Sequence, residues 1–347
     1  MTPSAAHETG RWGMTYPLEG VPLSAHQEVL QTAEDLGYTD AWTAEVNAND
    51  AFTPLGAFAA WTKTTRLGCA IANIYTRTPT LLAQSASSLA DLAEGRFCLG
   101  IGTSSPAIVE NWNGVPLEQP FRRMRQTIAF VKQALSGDKT AMSVGPYDVK
   151  GFRLGRAPVS PPPIYVAALR EKMLRLGAVE ADGVITNYIS PEDGRKVSQV
   201  ANEAAEAAGK QPPDIACRIF VIATEDRQVA QMIGRYVVSA YLTTPFYYAF
   251  HEWLGRGEIL SPMMNAWQAG DRQQALGLVP EQVVDDIFVF GSAEACRAKI
   301  KLYGEMGITT PILNIIPTER DPEAQAEQSL DWLRKLAPTW EEKKCPT

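Results

Sequence analysis

Runs of apolar and β-branched positions begin near Arg11, Tyr38, Arg66, Phe97, Ile164, Gly183, Ile215 and Thr310, and the residues between them follow a helical period. The first three intervals are 27, 28 and 31 residues long, each enough for one strand and one helix. Between Arg11 and Tyr38, Ala25, Val29, Leu30, Ala33 and Leu36 share one helical face, and Gly37 follows as a C-terminal stop. Such crossovers make consecutive strands parallel, so eight units predict an α/β fold, either a closed (β/α)8 TIM barrel or a doubly wound sheet. The number eight favours the barrel, in one domain spanning residues 1–347.

Two intervals are too long for a bare helix: 67 residues from Phe97 to Ile164 and 95 from Ile215 to Thr310. They predict insertions near 141–156 and 240–285. The first reads as a hairpin, AMSVGPYDVKGFRLGR, ahead of a proline-rich approach to the next strand. The second opens with the aromatic stretch YLTTPFYYAFHEW. A barrel builds its active site where strands end and loops begin, so this stretch after the seventh strand is expected to cover substrate, with extra packing or a subunit contact as the plainer alternative. A last helix, about 322–336, is expected outside the barrel.

Composition leaves that picture standing and narrows the function. At 45% hydrophobic and 20% charged residues the chain is globular, and a net charge of −7 argues against nucleic acid or an anionic membrane as a partner. Five cysteines (Cys69, Cys98, Cys217, Cys296, Cys345) show no metal-ligand spacing, and there are three histidines, so no metal centre is expected from them, with carboxylate-only sites left open. The first 13 residues lack an apolar leader and no run of 18 apolar residues occurs; a cytoplasmic protein is the expectation.

Five places carry candidate chemistry. LGIGTSS (Leu99–Ser105) puts Gly100 and Gly102 at a strand end, but the third glycine of a dinucleotide fingerprint would fall on Ser105. A strand end that lets a flat ligand approach, with hydroxyls beyond it, fits better than a Rossmann turn; a simple tight turn is the bland account. PIYVAALREKMLRLG turns from strand into helix with Arg170 and Lys172 at the start, where cations oppose the helix dipole unless an anion joins them. PFRRMR repeats the anomaly, with a solvated face as the ordinary explanation. Glu45 lies just past the second strand. His251, with Tyr247 and Tyr248 beside it, is the one histidine in an aromatic setting and the candidate near-neutral acid or base.

RLGCAIANIYTRTPTLLAQSASSLADLAEGRFCLGIGTSS (Arg66–Ser105) resembles the luciferase-like monooxygenase superfamily, nearest the branch that uses the deazaflavin coenzyme F420. AEDLGYTDAWTAE (Ala33–Glu45) and PIYVAALREKMLRLGAVEADGVITNY (Pro163–Tyr188) share the resemblance, and GSAEACRAKIKLYGEMGIT shares it more loosely. The resemblance implies a barrel with the coenzyme ring across the C-terminal strand ends. It implies a cis peptide at Ala70-Ile71 behind the ring, with Ala72 and Asn73 beside it. Gly102, Thr103 and Ser104 would lie near the coenzyme side chain, and Ala167, Ala168, Leu169 and Arg170 near its phosphate. It also implies a homodimer acting on a small-molecule substrate.

Departures matter too. Glu45-Val46 stands where many relatives have Asp-His, Ser105 where the F420-dependent sugar-phosphate dehydrogenases place a glutamate, and Ile74 in NIYTR replaces a proline of the reductase-like segment. Three functions follow as expectations: F420-dependent hydride transfer with Glu45, His251 and Tyr247 as candidate catalytic groups; an FMN-dependent monooxygenase; and a coenzyme carrier without turnover.

Overall fold

The computed structural model describes residues 10–338. Eleven strands are present: β1 (Gly13–Thr15), β2 (Asp40–Thr43), β3 (Arg66–Cys69), β4 (Ala72–Asn73), β5 (Phe97–Gly102), β6 (Thr140–Val144), β7 (Tyr147–Phe152), β8 (Ile164–Ala167), β9 (Gly183–Asn187), β10 (Asp214–Ile222) and β11 (Thr310–Ile316). Apart from β6 and β7 they run in the parallel order β3-β2-β1-β11-β10-β9-β8-β5-β4, and the pairing of β3 with β5 closes the ring. With β3 and β4 counted as one interrupted strand this is the expected (β/α)8 barrel. Five of its strands begin at the expected residue, and β1, β2 and β10 begin within two of it.

The helices are α1 (His26–Asp35), α2 (Thr53–Trp61), α3 (Pro79–Leu92), α4 (Pro120–Leu135), α5 (Glu171–Glu180), α6 (Pro191–Ala207), α7 (Arg227–Tyr241), α8 (Pro245–Leu254), α9 (Gly257–Gln268), α10 (Arg272–Gly277), α11 (Glu281–Ile287), α12 (Ala293–Glu305) and α13 (Pro322–Lys335). Their starts are set by local chemistry. Ser190 and Asp193 form a reciprocal capping box on α6, and the side chains of Thr78, Asp226, Ser292 and Asp321 each accept from a free backbone N–H of the first turn.

The first insertion is the antiparallel hairpin β6–β7. It is stapled to the barrel by Arg123 of α4, which is buried, stacks over the Tyr75 and Tyr147 rings and donates to the Ile74 carbonyl. The PFRRMR run is therefore not uniformly a solvated face: Arg122 and Arg125 are exposed, and Arg123 is the hairpin's anchor. The second insertion is helical, α8 to α11, with its own apolar cluster around Leu260, Met263, Val283 and Phe288. α13 packs outside the barrel, where Leu336 and Leu333 carbonyls at its end accept from Trp12 Nε1 and the Tyr38 hydroxyl at 3.0 and 2.7 Å.

Inside the ring, alternate residues of each strand point inward. Trp42, Cys98, Tyr165, Ile185, Ala216 and Ile312 form the central packing layer. Below it, at the N-terminal ends, Arg66 joins Asp40, Asp214, Tyr165 and Thr310 in one polar floor. Above it lies the mouth formed by the C-terminal strand ends. No described helix is long and apolar enough to cross a membrane.

Candidate functional site

The mouth is shaped first by missing side chains. A Cβ on Gly100 would overlap the Cys69 carbonyl oxygen, and one on Gly102 would come within 2.5 Å of Ile71 and 3.1 Å of Ala167. Glycine at the two inward positions of β5 beyond Cys98 therefore makes room for the interruption between β3 and β4, where the Ala70–Ile71 peptide is cis as the resemblance implies. Ile71, Gly102 and Ala167 become neighbours on one wall, with Ile71 and Ala167 still partly open to solvent. Beneath them Cys69 and Cys98 are fully buried, and burial pushes the Cys69 thiol up to about 12, which keeps it protonated and unreactive. Behind the wall Asn73 is buried; its Oδ1 accepts from Tyr75 N while its Nδ2 has no partner.

Glu45 belongs to the frame of this wall. Its carboxylate accepts from the Asn73 backbone N–H at 2.9 Å and is ion-paired with Arg77, whose guanidinium also stacks over Phe52. A carboxylate so engaged ties the bulge to the loop after β2.

β8 runs straight from Ala167 to the start of α5. The Ala168 N–H is taken up by the Ile185 carbonyl at 2.9 Å, Leu169 is partly exposed, and Arg170 is the exposed N-cap residue with no side-chain cap on the helix. Arg170 makes no ion pair among the described residues, while Glu171 in the first turn is taken by Arg175 at 2.8 Å. The free N–H groups of α5 and one unpaired guanidinium thus meet on the strand next to Gly102. Thr103, Ser104 and Ser105 follow Gly102 at the rim, partly exposed, with Ser104 in the left-handed region at φ 58°.

On the opposite side the aromatic insertion reaches the mouth through Tyr247. Its hydroxyl donates to Asn187 Oδ1 at 3.0 Å, and burial pushes its pKa up to about 12, which keeps the phenol protonated. Tyr248 packs instead against the helical insertion's own cluster. His251, one turn further along α8, is fully buried beside Phe250, and neither ring nitrogen makes a hydrogen bond of ordinary geometry. Burial, then the neighbouring Arg256 cation, push its pKa down to about 3, against a smaller opposing pull from the Tyr188 carbonyl. In place of the expected near-neutral acid or base the structure shows a packed imidazole: His251 shares a face of α8 with Tyr247, but one turn further along that face is closed off from solvent.

A stability consequence follows. The folded-state pKa of His251 lies below its ordinary value, so the unfolded chain takes up the proton first. The contribution is complete above about pH 6.5 and is lost as pH falls toward 3, at about 1.4 kcal/mol per unit. His251→Leu should therefore recover about 2 kcal/mol of the stability wild type loses between pH 7 and pH 5, measured by urea unfolding at both; equal losses in the two proteins would contradict it.

Two mouth residues were not anticipated. Arg218 and Asn314 point inward from β10 and β11, and Arg218 Nη2 donates to Asn314 Oδ1 at 2.7 Å. A signal was present in DIACRIFVI, where one cation interrupts an apolar strand at an inward position. The described residues hold no cluster of His, Cys, Asp and Glu fit for a metal ion.

A barrel of this topology with its cis bulge and mouth belongs to a recognisable class: the chain is a member of the luciferase-like monooxygenase family, whose model matches residues 4–310. A Mycobacterium tuberculosis protein whose name provisionally assigns it to the coenzyme F420-dependent oxidoreductases is 26% identical over 88% of this chain and 93% of its own length. The 5,10-methylenetetrahydromethanopterin reductase of Archaeoglobus fulgidus is 27% identical over 85% of this chain and 92% of its own. Among solved structures, an F420-dependent secondary alcohol dehydrogenase with an F420-acetone adduct aligns with a TM-score of 0.72 over 94% of this chain and 99% of its own, at 17% identity. The FMN-bound oxygenating component of a Pseudomonas putida Baeyer-Villiger monooxygenase aligns at 0.63 over 95% and 98%, at 18% identity. The last two show the shared fold.

Proposed function

We propose that the chain is a coenzyme F420-dependent oxidoreductase, a single barrel domain with two insertions, that transfers a hydride between the deazaflavin and a small organic substrate. The observation that carries this reading is the continuity of the wall at Ile71, Gly102 and Ala167 with the uncapped start of α5 at Arg170. A planar ring and a phosphate need those two features on neighbouring strands. The residues present fit the coenzyme: Gly102 lets Ile71 and Ala167 close into one wall, and Arg170 is a guanidinium without a counter-ion among the described residues. F420 supplies the redox chemistry when bound. The chain orients it with Ile71, Ala72, Gly102 and Ala167, offers hydroxyls of Thr103 and Ser104 toward its side chain, and holds its phosphate with Arg170 and the free N–H groups after Leu169. Glu45 and Arg77 keep the wall in register through Asn73, and Tyr247 and Asn187 present a fixed hydrogen-bonding edge on the substrate side.

The test is titration of the purified protein with F420 and with FMN, together with oxygen uptake. Tight F420 binding, weak FMN binding and no substrate-dependent oxygen uptake support the reading. The reverse pattern makes the protein an FMN monooxygenase, and F420 binding without stopped-flow oxidation on any substrate makes it a carrier. Arg170→Ala should weaken F420 binding ten- to a hundredfold, as loss of one charge-assisted contact of about 1.5–3 kcal/mol requires, with Tm nearly unchanged because the residue is exposed. An unchanged dissociation constant would remove Arg170 from the site. The reading includes a homodimer in the cytoplasm, and light scattering that gave the mass of one chain at micromolar concentration would contradict the dimer.

A further inference from the structure

Two arginines held within the fold carry carboxylate partners. Arg66 has two carboxylates, and Arg256 has Asp193 at 2.7 Å and Asp286 at 3.3 Å. Arg123 lacks an acid but is clamped between two tyrosine rings. Arg218 pairs with no carboxylate among the described residues. Its one hydrogen bond goes to the neutral Asn314 amide, its Nε is sealed from solvent without a partner, and its guanidinium rests on the Phe220 ring, itself stacked on Tyr188 at 4.2 Å. Burial lowers the pKa of Arg218, yet a guanidinium keeps its charge in a protein. A half-buried cation held in a fixed plane without a counter-ion is costly unless an anion arrives.

Its position says which anion. Counting β3 and β4 as one strand, β10 stands four strands from the cis bulge in either direction around the ring, so Arg218 faces the coenzyme wall across the mouth. Asn187 pairs directly with Arg218 in the β9–β10 register and carries the hydrogen bond from Tyr247. A guanidinium with two flanking amides and an aromatic side matches a planar monoanion better than a phosphate. We propose that Arg218 is the anion-binding half of the substrate site, and that the substrate is an unsaturated or aromatic carboxylic acid whose carboxylate it holds. This rests on the reading of the opposite wall as the coenzyme's.

Calorimetric titration with benzoate and its neutral isostere benzamide, on the full chain with and without F420, tests it. Wild type should bind benzoate at least tenfold more tightly than benzamide; Arg218→Gln should abolish that preference, Arg218→Lys should keep part of it, and the Tm of Arg218→Gln should equal or exceed that of wild type because an unpaired, half-buried charge has gone. Equal affinities, no benzoate binding at millimolar concentration, a preference that survives Arg218→Gln, or a variant that melts well below wild type or does not fold would each overturn it. So would a tenfold loss of F420 affinity in Arg218→Gln with benzoate binding unchanged. If wild type prefers benzoate but does not bind F420, the carboxylate site stands and the coenzyme reading falls.

Discussion

Gly100→Ala is expected to cost about 3 kcal/mol or more of stability and to abolish tight coenzyme binding, although it adds one methyl group. Overpacking costs about 1–3 kcal/mol when neighbouring side chains can yield. Here the added Cβ would overlap a backbone atom, the Cys69 carbonyl oxygen, and would come within 2.7 Å of Ile185 Cδ1. The Cys69 thiol also donates to the Gly100 carbonyl at 3.1 Å, so the two strands are tied at that point. Relief requires β3 to move away from β5, and the moving segment carries Ala70 and Ile71. Gly56 in α2 supplies the control, because a Cβ there meets nothing within 4 Å; Gly56→Ala should stabilise by about 0.5–1 kcal/mol and leave coenzyme affinity alone. Urea midpoints and F420 titrations of both variants decide it, and a Gly100→Ala protein with wild-type midpoint and affinity would refute the account.

The barrel was legible because its signals are local. Strand runs at near-constant spacing, helix stops such as Gly37 and the short hairpin sequence each lie within one window of sequence. What defines the site is mostly cross-strand. Glu45 reads as a free acid until Arg77, thirty-two residues on, closes on it. The stretch around Tyr247 and His251 was visible as an insertion, but which of its rings reaches the mouth depends on how far along α8 the barrel's edge falls: four positions apart on one face lie a hydroxyl bonded to Asn187 and a buried imidazole without a partner. The three arginines of PFRRMR look alike in sequence and differ in the tyrosine rings that reach only Arg123. Arg218 was the most recoverable omission. Its parity with Ala216 on β10 places it inward, and an inward cation in the middle of an apolar barrel strand has no structural explanation in the strand itself.

Arg66→Met should be the most damaging substitution in the barrel, and its damage should stop short of the coenzyme. Arg66 reaches Asp40, whose side chain is completely buried, and Asp214 at 3.0 Å, and it donates to the Tyr165 hydroxyl at 3.0 Å and Thr310 Oγ1 at 2.9 Å. Tyr165 in turn donates to Asp214, so one guanidinium satisfies groups from four strands of the floor. Removing it leaves the Asp40 carboxylate with Thr39 and a 3.5 Å contact to the exposed Arg11, which cannot replace a buried ion pair. Breaking such a pair costs about 3–5 kcal/mol, whereas replacing both partners by apolar groups is often close to neutral. Arg66→Met combined with Asp40→Leu should therefore be more stable than Arg66→Met alone, which a double-mutant cycle in urea would measure. In the fraction of Arg66→Met that remains folded, F420 affinity should match wild type, because the floor and the mouth are separated by the packed layer of Trp42, Tyr165 and Ile312. That contrast is the sharper half of the test: stability resides at the N-terminal strand ends and binding at the C-terminal ends. A matching loss of coenzyme affinity would show that the two layers are mechanically coupled through Trp42, over whose ring the Arg66 guanidinium sits at 5.5 Å.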